Sequence, residues 1–200
     1  MASYDPPMED AIARACAESA SHHDRLCPRQ VLGVRMGLAA AARFGVDVPR
    51  RDRRLLVFTE SDGCFADGVS ASTGATVGHR ALRVVDYGRV AITVLDTHTR
   101  EAIRLGVARG VRESALAYAP DESRRYYAQI EGYQRMPERE LLRIEPVAIT
   151  LDLDALMGRP GVRVDCVRCG EEVLNAREVR VDGVALCPAC AGPAYYRSLA

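Results

Sequence analysis

Four cysteines near the C-terminus form two Cys-x-x-Cys pairs, Cys166–Cys169 and Cys187–Cys190, in "CVRCGEEVLNAREVRVDGVALCPAC". Two intervening residues let both sulfurs of a pair turn toward one ion. Two such knuckles complete a tetrahedral thiolate shell, the donor set that suits zinc. Gly170 follows the first pair, where a tight knuckle needs positive φ, and Asp182-Gly183 predicts a hairpin turn that carries the second pair back to the first. A closed shell of four cysteines leaves no open coordination position, so its expected role is structural. Two disulfides or four free core thiols are alternatives that the spacing and a reducing compartment disfavour, and an iron site is the other.

A second set of candidates lies far upstream. His23 and Cys27 are four residues apart in "SHHDRLCPRQ", and Cys27 directly precedes a predicted helix opening at Pro28. Free N–H groups at a helix start favour an anion, so a thiolate is favoured there as nucleophile or metal ligand. Farther on, "ESDGCFADG" crowds Glu60, Asp62, Cys64 and Asp67 into a strand-to-helix turn, a common place for a site. Each has a plainer reading. Cys27 and Cys64 would serve as small buried residues, Asp67-Gly68 as an ordinary turn pair, and Glu60 and Asp62 as solvated acids. His22 reads as a solvated neighbour, His79 as a weaker ligand candidate, His98 as a turn residue and Cys16 as core.

These residues need elements to hold them. Residues 8–20 have helical spacing, with Ile12, Ala15, Cys16 and Ser19 on one side. "PRQVLGVRMGLAAAARFG" predicts a helix closed by Gly45, with Val31, Val34, Leu38, Ala41 and Ala42 as its apolar face. "RRLLVFTES" reads as a buried strand and "CFADGVSASTG" as a short helix sealed by Gly74. "RALRVVDYG" and "RVAITVLD" are expected to pair as a hairpin, with "REAIRLGV" as a further strand. A helix with Asp121 as N-cap follows, its Tyr126, Tyr127 and Tyr133 serving packing or a dimer face, and then the strand "LLRIEPVAITL". "DLDALMGRPGVRVD" reads as a connector. The expectation is an α+β fold: a mixed, largely antiparallel sheet with helices on one face over residues 1–156. A linker and a small treble-clef or ribbon-type zinc finger would occupy 157–200.

Composition narrows the function classes. The 200 residues carry 27 basic and 27 acidic side chains, so no general electrostatic grip on nucleic acid or an anionic membrane is expected. The finger likewise sets Arg163, Arg168, Arg177 and Arg180 against Asp165, Glu171, Glu172, Glu178 and Asp182, which is no basic stripe. No run of apolar residues is long enough to span a bilayer, and the N-terminus lacks a signal-peptide pattern. A cytoplasmic protein with reduced thiols is expected.

Taken in order, "HDRLCPRQVLGVRMG", "TESDGCFADGVSASTGATVGHR", "RVVDYGRVA", "YQRMPERELL" and the Cys-x-x-Cys pairs resemble the FmdE family, named for the E subunit of formylmethanofuran dehydrogenase, over roughly residues 20–192. The resemblance implies an α+β core, homodimerisation and a metal, commonly zinc, near the histidine–cysteine element. The family's first histidine falls on His23, its Cys-Pro on Cys27-Pro28, its second cysteine on Cys64 and the following acid on Asp67. Arg25 stands where the family has a second histidine, Ala75 where it has a further cysteine, and His79 at a lysine-like position.

The reading is therefore a metal-binding protein with a structural Zn2+ in the finger and a second site at His23, Cys27 and Cys64. That second site would hold Zn2+ or another transition metal, or a small molecule. If it is catalytic, Cys27 acts with Asp67 or Glu60 handling protons; no reaction is assigned. The rival reading is a non-enzymatic adaptor that docks on, or supplies a cofactor to, an oxidoreductase through its finger. Neither membrane nor nucleic acid is an expected partner.

Overall fold

The computed structural model describes residues 8–158 and 161–199, which divide into two compact units between Ile149 and Thr150. The sequence places this boundary at 156–157, inside a connector whose residues 159 and 160 lie outside those described.

The first unit opens with α1 (Met8–Ala20) and α2 (Pro28–Phe44). Helix α1 buries Ile12, Ala15, Cys16 and Ser19, the expected face. Helix α2 begins with Pro28 in its first turn and ends at Gly45, whose left-handed φ of 60° permits the closing bonds to the Ala41 and Ala42 carbonyls. It is buried on almost every side from Gln30 to Ala41, while Ala42 is exposed. An apolar stripe is thus too narrow a description of a central helix.

Strand β1 (Leu55–Thr59) leads to α3 (Cys64–Thr73), followed by β2 (Leu82–Val84), β3 (Ala91–Asp96) and β4 (Ala102–Val107). A short α4 (Val111–Ser114) and a 3-10 turn (Ala115–Tyr118) precede α5 (Arg125–Arg135), α6 (Glu138–Leu141) and β5 (Leu142–Val147). The sheet order is β2-β1-β3-β4-β5. Only the β1–β2 pair is parallel, as its helical crossover through α3 requires, and the others are antiparallel.

Two expectations are corrected by this topology. The expected hairpin of 80–88 with 89–96 does not form, because β1 inserts between β2 and β3. The connecting loop instead wraps the end of β1, its Tyr87 and Arg89 N–H groups both donating to the Glu60 carbonyl. The hairpin is made by β3 and β4, whose turn contains His98. Asp121 does not cap α5: the helix starts at Arg125, and the Glu122 carboxylate accepts the Arg124 N–H at 2.8 Å.

Beneath α2, Leu55, Val57, Ile92, Val94 and Leu105 of the sheet join Val31, Val34, Met36, Phe65 and Tyr133 in one core. The half-buried Arg35 guanidinium donates to the carbonyls of Tyr133 (2.6 Å), Gln134 (3.0 Å) and Met136 (2.8 Å). A cation on orphan carbonyls at a helix C-terminus is favourable, and here it fastens α5 to α2.

The second unit holds α7 (Leu153–Met157), capped by Asp152, where only a connector is expected from sequence. Two antiparallel hairpins follow, β6 (Arg163–Asp165) with β7 (Glu172–Leu174) and β8 (Val179–Val181) with β9 (Val184–Leu186), and then α8 (Pro188–Ala191). The β8–β9 turn is the expected Asp182-Gly183, with φ of 50° and 84°. Among the described residues no helix is long and apolar enough to cross a membrane.

Candidate metal centres

In the finger, Cys166 and Cys169 sit on the knuckle joining β6 to β7, while Cys187 directly precedes α8 and Cys190 lies within it. The four sulfurs lie within 4.8 Å of one another, and Cys169 and Cys187 are 3.9 Å apart. Tetrahedral zinc–sulfur bonds of about 2.3 Å place neighbouring sulfurs at about 3.8 Å, so the set fits one ion. Backbone N–H groups of Cys187 and Cys169 point at the Cys166 sulfur and lower its pKa to about 6. This favours the thiolate that metal binding requires. The apolar core is small: Cys166, Val173 and Leu186 are its buried members. A unit with so little apolar burial needs the metal to fold.

The upstream residues are assembled differently. Cys27 is the N-cap of α2 and Cys64 is the first residue of α3. Their sulfurs approach to 3.0 Å although the residues are 37 apart in sequence. Three local devices produce this. A capping box holds Cys27: its N–H donates to Gln30 Oε1 at 2.7 Å, and its sulfur accepts the Gln30 N–H at 3.4 Å. The Gln30 side chain is fully buried and also donates to Ser19 Oγ (3.0 Å) and O (2.9 Å), tying the end of α1 to the start of α2.

Gly63 ahead of Cys64 adopts φ 68° and ψ −156°, a conformation essentially reserved for glycine, which turns the chain from β1 into α3. Finally, α2 and α3 touch backbone to backbone. A Cβ at Gly33 would strike the Phe65 carbonyl, and one at Gly68 the Gln30 carbonyl. The two helix starts are brought together because glycines one to two turns inside allow it.

Gln30, Gly33 and Gly63 are thus positioning residues outside the sequence's candidates, and Gly68, expected with Asp67 as a turn pair, lies instead inside α3 and acts with them. The Cys-x-x-Gln spacing of a capping box was the legible signal for Gln30.

Burial first, and then the neighbouring Cys27 sulfur, push the Cys64 thiol up to about 11, while Arg29 opposes them. Cys64 therefore resists losing its proton without a cation beside it. His23 lies in the turn after α1 and its Nε2 meets Asp67 Oδ2 at 2.8 Å, both half-exposed. In this arrangement the imidazole is joined to Asp67. Among the described residues the only set of three or more close metal donors is the finger's.

The other candidates are engaged elsewhere. Buried Glu60 is held by Arg104 (2.6 and 2.8 Å) and Arg89 (2.7 Å), and the Arg104 hydrogen bonds keep its carboxyl below its ordinary range. It is a structural anion and a poor proton acceptor. Asp62 is exposed, His22 approaches Glu18 at 3.8 Å, and His79 Nδ1 is 2.8 Å from Thr76 Oγ1 in its own turn. Ala75 is buried in the core, and Arg25 stacks over the Tyr126 ring at 5.9 Å. Over the two thiols opens a cleft of about 730 Å³, walled by the starts of α2 and α3, by Val90 and Val107, and by α4 and α5.

Residues 22–143 match the family described as "FmdE, Molybdenum formylmethanofuran dehydrogenase operon". Residues 160–196 match the prokaryotic dksA/traR C4-type zinc finger. A relative from Archaeoglobus fulgidus, described as a probable S-adenosyl-L-methionine-binding protein, is 26% identical over 207 aligned residues. The match covers 94% of this chain and 55% of that protein, so the chain spans about half of its relative's length. A crystal structure of a tungsten formylmethanofuran dehydrogenase FmdE-like protein from Syntrophus aciditrophicus shares the fold. Its TM-score is 0.59 at 20% identity, over 93% of this chain and 95% of that one. With the family pattern covering more than half of its residues, the chain belongs to the FmdE family and carries a C4-type zinc finger.

Proposed function

We propose that the first unit binds a metal ion through Cys27 and Cys64 and presents it to a small molecule in the cleft above, while the finger's zinc is structural. The observation that carries this reading is the approach of two thiols from separate helix starts beneath an open cleft; their 3.0 Å separation opens to about 3.8 Å to seat one ion. Two sulfurs leave coordination positions free, in contrast to the closed four-cysteine shell. His23 is the third ligand in this reading and must leave its hydrogen bond to Asp67 to reach the thiols. Asp67, which does not line the cleft, then orients the imidazole through its other ring nitrogen. The description of the A. fulgidus relative supports a small-molecule role. Family resemblance adds a homodimer, which sedimentation equilibrium tests, and the lack of a signal-peptide pattern in the sequence adds a cytoplasmic location.

The direct experiment is metal analysis of the 200-residue chain. The wild type should carry two equivalents, and the Cys27→Ser/Cys64→Ser double variant should carry one with its fold retained. Equal metal content in the two proteins would sink the reading. The surviving alternative would be an adaptor whose only metal is in the finger, docking on an oxidoreductase.

A further inference from the structure

The geometry points to the class of molecule the cleft receives: a small organic carboxylate with an apolar body, its anionic end held by Arg29 and Arg112. This rests on reading the cleft over Cys27 and Cys64 as the small-molecule site.

Volume admits such a ligand. About 730 Å³ falls within the range of small-molecule pockets, and the space lies against Leu32, Val90, Val107 and Val111. These side chains favour hydrocarbon and offer nothing to a heavily hydrated ion.

Charge supplies the second argument. Arg29, Arg112 and Arg125 line the cleft, and its lining contains no carboxylate. Arg125 is matched from outside by Glu113 at 2.6 Å. Arg29 and Arg112 have no acidic partner among the described residues, so two guanidinium charges stand uncompensated in one concavity. Elsewhere in this evenly charged chain, arginines such as Arg54 and Arg104 meet carboxylates.

Metal does not cancel the excess. Two thiolates and a divalent cation sum to zero, and two neutral thiols without metal also sum to zero. The cleft is cationic in either state. Arg25 over Tyr126 adds a further cation at its rim. A sulfonium ligand, net cationic, fits this field poorly. A carboxylate suits the planar two-donor fork of arginine, and the hydrocarbon floor selects an organic acid over free phosphate.

The test is calorimetry at low salt on the 200-residue chain, with sodium hexanoate, the neutral hexanamide and inorganic phosphate as probes. Hexanoate should bind saturably and about tenfold more tightly than hexanamide, the ratio expected for one charge-assisted contact at a part-exposed site. Arg29→Ala or Arg112→Ala should erase most of that preference. Arg29→Lys should keep part of it, since charge survives and the fork is lost. Both side chains are exposed, so the fold tolerates these changes, and Arg177→Ala in the finger is a control that should leave binding unchanged.

No hexanoate binding, equal binding of acid and amide, or tighter binding of phosphate overturns the assignment. Metal content measured on the same samples separates the two readings. Lost anion preference with two metal equivalents present defeats the ligand class alone. Intact preference with one equivalent defeats the metal reading alone.

Discussion

The two cysteine clusters reach proximity by opposite routes. In the finger, each pair closes over two residues and a two-residue hairpin turn returns the chain, so all four sulfurs meet within a short stretch. Cys27 and Cys64 meet only because α2 and α3 cross with glycine on both sides, in a core that includes Val31, Val34, Phe65 and Ile92. The finger's geometry depends on its ion, since little apolar surface is buried there. The upstream pair's geometry is set by the packing of α2 on α3 within the core. A metal-dependent fold suits a closed structural site. A scaffold-dependent pair suits a site that exchanges ligands.

The largest effect should come from the finger. Cys166→Ser, or zinc removal by a chelator, should abolish amide protection across residues 163–190 in hydrogen exchange and leave β1–β5 protected. Apparent structural zinc-binding energies of about 10–16 kcal/mol mean that no other contact in this unit can substitute. Persistent protection of the finger without metal would remove the contrast between the clusters.

A smaller loss is expected from Gly68→Ala, whose Cβ falls on the Gln30 carbonyl. Overpacking of this kind costs about 1–3 kcal/mol, read as a lower urea midpoint for the first unit. The same variant should slow cross-linking of Cys27 to Cys64 by a short bifunctional thiol reagent and leave finger protection unchanged. An unaltered cross-linking rate would mean that helix packing does not set the pair's geometry.

The smallest effect concerns pH. Glu60 terminates the β1 end that leads to Cys64, and Arg104 holds its carboxyl below its unfolded value. A depressed folded pKa stabilises the protein above the unfolded pKa of about 4.3, and the contribution is lost as pH falls through the lower folded value. Glu60→Gln should therefore be less stable than wild type at neutral pH, with the gap narrowing as the medium is acidified through that range. Stability curves by circular dichroism read this directly. A gap independent of pH would assign the effect to packing alone.

What could be read from sequence followed the range of the interactions. The four-cysteine shell, the knuckle at Gly170, the Asp182-Gly183 turn and the ends of α2 and α3 at Gly45 and Gly74 are set within a few residues, by φ preferences and spacing. The buried face of α1 was equally plain, because an amphipathic helix writes its packing in its periodicity. The hairpin assigned to β2 and β3 failed where local pairing competed with a parallel crossover, an outcome decided by long-range contacts. Asp121 failed as a cap because α5 starts only at Arg125, which makes Arg124 the N-cap position.

For the upstream cluster, sequence alone identified the cysteines and the acid that follows them. Tertiary structure decided that Cys27 and Cys64 touch, that His23 faces Asp67, that Glu60 is consumed by Arg104, and that Arg29 and Arg112 share a cleft without an acid. The physical reason is distance along the chain. Local rules decide what each helix start contains, and only the close crossing of two helix backbones decides which starts become neighbours.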